Sequence, residues 1–483
     1  MKRWRNVIIL GLVLAVLVAA YFLLKGKKET PADPENSAVA GENPEAIKLI
    51  DFERDDIVKI LLKYDDAEIV LKQVDKDVEY RTIEDDGTET VTINKVKMWD
   101  SDDFPPEQNV VGDIIYGGVY AKTNRLIEAD PQDLSVYGLD KPFTVTFFNE
   151  AGESQTIEVG NATPTGDYYY VKKGNGKEVY TLVRYLAEYM KPNRYSLVSR
   201  QLYHKSNLDL EDMTELTFCR DGEIVFSAHL KKAPVDWLIT EPVEIGANLQ
   251  NLDLFLRGLS GLTAAAVVDD VSSDLSQYGL DEPRYVFKYT LDGQSYELKV
   301  GKREGSVYYI MMEGKDYVYT VSTENLNYVD MPLKDVALMM VYTPSIFDTA
   351  KLVIELDGRT DVLEMDISQQ LAEDDVYIFN GRSIDDKDNR SLFRKYFQGA
   401  IAISGDRLDL DANPEGKPEV RLTYTSKAGE VTVVELVPTP DGYGYYGMKN
   451  GKYTGLVIGK RELDKDNMGI RKAYENLMEG LQE

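Results

Sequence analysis

The chain has 483 residues and a formal net charge of −28, from 83 acidic and 55 basic side chains. This length is enough for several domains. A surface this acidic repels nucleic acid and anionic lipid headgroups, which excludes nucleic-acid binding. Cys219 is the only cysteine, so no internal disulfide can form. That is compatible with a bacterial envelope protein and argues against a eukaryotic secretory setting.

The N-terminal segment predicts a membrane span. Residues 7–24 form an uninterrupted apolar run, about 27 Å long as a helix, which is close to the thickness of a hydrocarbon core. Basic residues flank both ends of the run, and small residues around Ala20 leave cleavage as a signal peptide open. We predict a retained single-pass signal anchor over 1–28, with the N-terminus in the cytoplasm and the body outside the cell membrane.

The remainder divides into a linker and three predicted repeat units. Residues 29–48 are mostly polar and rich in proline and glutamate, which predicts a flexible stalk. We predict repeat unit one over 49–200, repeat unit two over 201–341 and a degenerate repeat unit three over 342–483.

An internal repeat carries this division. The segment DLSVYGLDKP at 133–142 returns as DLSQYGLDEP at 274–283. Its glycine suits a backbone with positive φ, and its proline suits the start of a strand. We predict a structural role for the residues that define the repeat. These are Tyr137, Gly138, Pro142, Trp237, Pro242, Tyr278, Gly279 and Pro283.

Tyrosine pairs recur in the three units and are the candidate partner-binding residues. They are Tyr168, Tyr169, Tyr308, Tyr309, Tyr445 and Tyr446. Two interpretations stay open. The rings could stack on a sugar or on a partner protein, or they could occupy alternate strand positions, with one ring in the core and one in a cross-strand pair.

Hydrophobic periodicity predicts strand pairs followed by a helix in each unit. In unit one, strands are expected at 58–62 and 68–71, and a short helix at 184–190. In unit two, apolar residues from Leu249 to Leu259 recur at helical spacing. The predicted fold class is α+β: an N-terminal transmembrane helix, then tandem strand-rich domains with segregated helices and mostly antiparallel sheets.

The repeated segments resemble a known bacterial family. The W-x-I-x-x-P segment from Trp237, the helix after it, the D-L-x-x-Y-G-L-D-x-P turns and the strand ending in Val300-Gly301 are similar to the domain-of-unknown-function family DUF4340. The resemblance implies an N-terminal membrane helix and genes often found beside those of gliding-motility-type ABC transporters. It implies no catalytic residue.

The sequence contains no recognisable catalytic motif. It lacks H-E-x-x-H, G-x-S-x-G and P-loop patterns. The segment 442–447 fits G-x-G-x-x-G, but it leads into a tyrosine strand where the fingerprint needs a helix. Asp409, Asp411 and Asn413 have calcium-loop spacing, yet Pro414 replaces the glycine such a loop needs. We predict no catalytic residue, cofactor or metal site, and an adventitious cation site stays open.

The predicted function is that of a non-enzymatic, membrane-anchored protein outside the cytoplasm. Its expected partner is an ABC transporter or another envelope protein, and any small-molecule ligand is left unidentified. Two alternatives stay open: a module that binds carbohydrate or peptidoglycan, and a hydrolase that uses two facing carboxyl groups.

Overall fold

The computed structural model describes residues 46–83, 89–123, 125–203, 210–232, 236–466 and 469–482. The chain divides into two compact units at the boundary between Ser199 and Arg200. In the described residues, the first unit contains one large sheet beside a two-stranded one, and the second unit contains two large sheets.

The strands of the first unit are β1 (Ile47–Lys48), β2 (Ile57–Lys63), β3 (Glu68–Ile83), β4 (Glu89–Asp100), β5 (Lys122–Thr123), β6 (Leu126–Glu128), β7 (Phe143–Asn149), β8 (Ser154–Ala162), β9 (Tyr168–Lys173) and β10 (Val179–Val183). Strands β1 and β5 pair with each other. The first large sheet has the order β4-β3-β2-β7-β8-β9-β10-β6 and is antiparallel.

The second large sheet contains β11 (Met213–Arg220), β12 (Glu223–Lys232), β13 (Asp236–Glu241), β14 (Ile245–Gly246), β15 (Ala266–Asp270), β16 (Tyr285–Leu291), β17 (Gln294–Glu304), β18 (Val307–Met312) and β19 (Tyr317–Ser322). The third contains β20 (Thr349–Leu356), β21 (Arg359–Asp366), β22 (Val376–Phe379), β23 (Arg382–Ser383), β24 (Arg407–Leu408), β25 (Val420–Ser426), β26 (Val431–Pro438), β27 (Gly444–Lys449) and β28 (Lys452–Gly459).

The strand order repeats from sheet to sheet. The second sheet runs β14-β13-β12-β11-β16-β17-β18-β19-β15 and the third runs β23-β22-β21-β20-β25-β26-β27-β28-β24. In all three, a set of three or four antiparallel strands that begins with a hairpin lies beside a four-stranded meander. The far edge of the meander is closed by the short strand that precedes it in the sequence. The predicted internal repeat is therefore confirmed.

The described residues contain six α-helices. They are α1 (Gln108–Val119), α2 (Arg184–Met190), α3 (Leu249–Ser260), α4 (Leu333–Val336), α5 (Lys387–Ile401) and α6 (Ile470–Gly480). The helix predicted at 184–190 is confirmed as α2, and the helical spacing from Leu249 is confirmed as α3. Helix α3 buries Leu252, Phe255 and Leu259, since these residues share one face of the helix.

Each core is formed by a helix and by the apolar residues that alternate with polar ones along the strands. In β16, Tyr285, Phe287 and Tyr289 are buried at every second position, which points them to one face of the sheet. The Phe287 ring stacks on Phe218 of β11 with centroids 4.7 Å apart. Phe255 of α3 lies 5.5 Å from that same Phe218 ring, so the helix covers the face that the alternation makes apolar.

The fold-class prediction was wrong in one respect. It included a transmembrane helix, but in the part of the chain that the structure describes no helix is long and apolar enough to span a membrane. The predicted anchor, 1–28, lies outside the described residues, as does most of the predicted stalk, 29–48. Helices α1, α3 and α5 each follow the first strands of a sheet and precede its meander in the sequence.

The first hairpin of each sheet is held by a segment near the end of its repeat. In the first repeat, the Tyr64 hydroxyl donates a hydrogen bond to the Pro192 carbonyl at 2.9 Å. In the second, Arg220 Nη2 donates to the carbonyls of Val329 and Met331 at 2.7 and 2.8 Å. The bond serves the same structural purpose in both repeats, although the donors differ.

In the third repeat an ion pair takes this place. Arg471 of α6 donates from Nε and Nη2 to the two carboxylate oxygens of Asp357, at 2.9 Å each. It also donates to Asp464 at 3.0 Å. These contacts hold the pKa of Asp357 below its usual value, mainly through the hydrogen bond from Arg471.

Candidate protein-binding surface

The repeated turn has the same backbone in the first and second repeats. Short 3-10 helices at Ser135–Tyr137 and Leu275–Tyr278 end at Gly138 and Gly279. These glycines have φ of 66° and 64°. A side chain would be strained there, so the turn requires glycine.

In each repeat, a second glycine on the neighbouring strand contacts the carbonyl group of the turn. A Cβ added to Gly160 would lie 2.2 Å from the Tyr137 carbonyl oxygen, and one added to Gly301 would lie 2.2 Å from that of Tyr278. The register to the next strand shifts around each of these glycines, which marks a β-bulge. Turn and bulge therefore fit against each other as one element.

The turn tyrosines have equivalent polar contacts. The Tyr137 hydroxyl donates to Glu128 at 2.6 Å, and the Tyr278 hydroxyl donates to Asp269 at 2.7 Å. The hydrogen bond to Glu128 is the main reason why the pKa of Tyr137 is raised. Each acceptor lies on the short strand that closes the sheet, so the tyrosine ties the turn to that edge.

Three of the predicted partner-binding tyrosines point towards the cores. Tyr308 and Tyr445 are 9% and 2% exposed, and Tyr169 packs half-buried against the core of the first unit. The Tyr445 hydroxyl donates to Glu419 at 2.9 Å. Burial of these rings makes them poor candidates for direct contact with a partner.

The other three are half-buried or exposed. Tyr309 is half-buried against Tyr278, with centroids 4.9 Å apart, and Tyr446 is half-buried against Tyr453 at 5.5 Å. Tyr168, at 39%, is the only one of the six that is exposed. The six tyrosines belong to three different sheets.

The remaining repeat residues lie at strand boundaries or in the core. Pro142 and Pro283 stand just before β7 and β16, where the missing N–H removes no hydrogen bond from the ladder. Trp237 is 5% exposed. Pro242 follows a cis peptide bond from Glu241.

An exposed cluster of aromatic rings lies at the outer face of helices α1 and α2. It consists of Tyr116, Tyr120, Tyr185 and Tyr189, and we call it the tyrosine cluster. The rings of Tyr116 and Tyr120 are 4.5 Å apart, those of Tyr116 and Tyr189 are 6.1 Å apart, and those of Tyr185 and Tyr189 are 6.1 Å apart. Tyr120, Tyr185 and Tyr189 are 50%, 49% and 40% exposed.

A glycine brings the two helices close enough to form the cluster. A Cβ at Gly117 would lie 2.8 Å from the Leu186 carbonyl oxygen and 3.2 Å from the Tyr189 Cβ. A larger residue would push α2 away from α1 and separate Tyr116 from Tyr189. The opposite faces of both helices bury apolar residues, Ile114 and Leu186 among them, so the tyrosines are left on the outer face.

An ion pair between Arg184 and Glu188 borders the cluster. Arg184 Nε donates to Glu188 at 2.8 Å, and this hydrogen bond raises the pKa of the guanidinium. Exposed aromatic rings are enriched at the centre of protein interfaces.

Sequence reasoning missed this cluster because it considered tyrosines on strands. The available signal was i,i+4 spacing, from 116 to 120 and from 185 to 189, which places each pair on one face of a helix. Joining the two pairs required knowing that α1 packs on α2. Tyr116 and Tyr189, whose rings join the two pairs, are far apart in the sequence, and no local pattern indicates that they meet.

A depression lies at one end of the third sheet. It has a volume of about 300 Å³ and is lined by Glu355, Arg359, Glu419 and Arg421 among others. Glu419 accepts hydrogen bonds from Tyr445 and from Lys460. In the described residues, no group of three or more metal-ligating side chains comes together.

Comparison with known proteins identifies the family. The sequence model of DUF4340, described as a domain of unknown function, matches residues 97–234 and 237–370. These two matches cover more than half of the chain. The protein belongs to the DUF4340 family. No curated protein and no solved structure matches it.

The DUF4340 matches are offset from the sheets. The first begins in β4, just before Trp99, and the second begins at Trp237 of β13. Both tryptophans are buried, at 9% and 5% exposure. Each match therefore runs from a buried tryptophan at the end of one hairpin into the hairpin of the next sheet. The tyrosine cluster lies within the first DUF4340 match.

Proposed function

We propose that the protein acts by binding a protein partner in the cell envelope and not by catalysis, and that the tyrosine cluster is the contact surface. The observation that carries the proposal is the exposure of Tyr120, Tyr185 and Tyr189 within one continuous group of rings. Tyrosine is enriched among the residues that contribute most to protein interfaces.

The geometry of the rings supports a protein rather than a carbohydrate ligand. The Tyr116–Tyr189 and Tyr185–Tyr189 ring planes are inclined by 79° and 82°. Such edge-to-face rings do not form one flat platform on which successive sugars could stack. They form an uneven apolar surface, which suits side chains of a partner that fill the spaces between the rings.

The partner that we propose is a subunit of an ABC transporter or another protein of the envelope. The resemblance to DUF4340 proteins suggests it, because their genes are often found beside those of such transporters. Location of the body outside the cytoplasm remains a prediction. It is tested by adding protease to intact protoplasts, which should digest the body; full protection would contradict it.

Site-specific photo-crosslinking tests the surface. A photoreactive phenylalanine analogue at position 189 should crosslink to the transporter subunit in the cells that make the protein. The matched control is position 443, since Tyr443 is 83% exposed and lies outside the cluster. Equal crosslinking from both positions, or none from 189, would contradict the proposal.

A substitution measures how much the Tyr189 ring contributes to the affinity for the partner. Tyr189→Ala should weaken binding by about 2 kcal/mol, roughly thirtyfold, because it removes a central ring of the cluster. Tyr443→Ala should leave the affinity unchanged. If Tyr189→Ala instead abolishes binding to isolated cell wall while no protein partner is found, the carbohydrate-binding alternative is favoured.

A further inference from the structure

The second hairpin of the first sheet, β3–β4, is much longer than its counterparts, β12–β13 and β21–β22. Strand β2 pairs with β3 only as far as Lys59 opposite Lys72. The β3–β4 ladder continues from Lys72 opposite Asp100 to Ile83 opposite Glu89. Residues 73–83 and 89–99 therefore extend past β2 as a two-stranded ribbon, which we call the arm.

The outer strand of the arm is unprotected. In the described part of the chain, β4 has β3 on one side and no strand on the other. Ile93 and Val91 are 62% and 50% exposed and lie on the same face, two residues apart. An open edge with exposed apolar side chains is a template for pairing with another strand.

We propose that β4 of the arm pairs antiparallel with β4 of a second copy of this chain, in a two-fold symmetric dimer. In this pairing Ile93 of each copy lies opposite Val91 of the other, and Thr92 lies at the two-fold axis. Such an interface is self-complementary, as a two-fold dimer requires. It buries the two exposed apolar side chains against each other and satisfies the free backbone groups of the edge.

The charges on β4 select this register. Lys95 and Lys97 share the face of Ile93 and Val91. Centring the pairing on Ile93 would place Lys95 opposite Val91, and centring it on Asn94 would place Lys95 opposite Ile93. Centring it on Lys95 would oppose two like charges, which is destabilising. Only with Thr92 at the axis are both apolar residues opposite apolar residues.

The proposal concerns a different surface from the tyrosine cluster, and its test is independent. In a Cys219→Ser background, which removes the only native thiol, Thr92→Cys should form a disulfide-linked dimer of the full chain under mild oxidation. Opposite residues in an antiparallel pair have Cα atoms about 4.5 or 5.5 Å apart, within the range that a disulfide spans. Lys97→Cys is the matched control, because its two copies would be separated by about 34 Å along the strands.

Sedimentation of the purified full chain tests the dimer without crosslinking. Ile93→Lys should raise the dissociation constant at least tenfold, whereas Ile224→Lys, at another exposed strand isoleucine of 47% exposure, should not change it. A chain that stays monomeric at all concentrations would overturn the proposal. Equal crosslinking of Thr92→Cys and Lys97→Cys would overturn it too, since that indicates random collision.

Discussion

The first and third repeats form sheets of the same strand order but differ at one position of the second meander strand. In β8, Val159 pairs with Phe143 and is followed by Gly160. In β26, Leu436 pairs with Val420 and is followed by Val437, which is 6% exposed. Glycine in the first repeat thus corresponds to a buried valine in the third.

The difference shows that the Tyr-Gly-Leu turn, the glycine of the second meander strand and the β-bulge depend on each other. The third repeat lacks the Tyr-Gly-Leu turn, and its β26–β27 register passes Val437 without a shift. Where the turn is present, its carbonyl needs the space beside a glycine, and the strand bulges. Where it is absent, a valine side chain fills the space and the strand stays regular. Strand order is the same in both cases, so it does not depend on the turn.

The largest change in stability is expected when Gly160 is replaced, which tests whether the turn requires glycine at this position. Gly160→Ala should destabilise the first unit by about 3 kcal/mol, because its Cβ would overlap a backbone oxygen that cannot rotate away. Urea unfolding followed by the fluorescence of Trp99, with Trp4 and Trp237 replaced by phenylalanine, measures this.

Gly112→Ala is the control for that substitution. A Cβ at Gly112 meets nothing within 4 Å, and the residue lies inside α1. Alanine there should stabilise the unit by about 0.5–1 kcal/mol. If Gly160→Ala also proved neutral, the turn and the bulge would not be coupled in the way described.

A smaller effect is expected at Val437, the position of the third repeat that corresponds to Gly160. Val437→Ala should destabilise by about 2 kcal/mol, since it removes about two buried methyl groups and leaves a cavity. Hydrogen exchange of peptides covering 431–449 should rise in this variant. Val431→Ala, at a valine of the same strand that is 56% exposed, should leave exchange unchanged; a similar rise would show that Val437 has no special role.

The smallest effect is expected for the ion pair between Asp357 and Arg471, which holds the first hairpin of the third sheet. Asp357→Asn should destabilise by about 1 kcal/mol near pH 7, a value typical of a partly exposed ion pair. Because the folded-state pKa of Asp357 is lowered, the native carboxylate contributes stability above its unfolded pKa near 3.9. That contribution is lost as the pH falls through the folded value, so the difference between variant and native protein should shrink below about pH 4.

The second repeat provides the comparison for this pH dependence. Arg220 donates to backbone carbonyls, which do not titrate. The cost of Arg220→Ala should therefore stay constant between about pH 3 and pH 7, measured by thermal unfolding in the same buffers. A cost that changed with pH as it does for Asp357→Asn would contradict the assignment of the two contacts.

Some local features could be predicted because their signal is contiguous. The ten-residue turn occurs twice, and its glycine, proline and tyrosine each have a local physical reason to be there. Helix α2 matches its predicted bounds, 184–190. Strand β3 does not, since it runs to Ile83 and not to 71. Residues 73–83 are held by a cross-strand partner, β4, and local periodicity does not report a partner strand.

The sequence alone determined the repeat, the antiparallel hairpins and the family, because these depend on residues close together in the chain. Tertiary structure decided which tyrosines are exposed. Tyr308 and Tyr445 have the same residue type as Tyr120 and Tyr189, but the first two face a core and the second two face outward from packed helices. Exposure depends on what packs above a residue, and that is set by contacts between segments far apart in the chain.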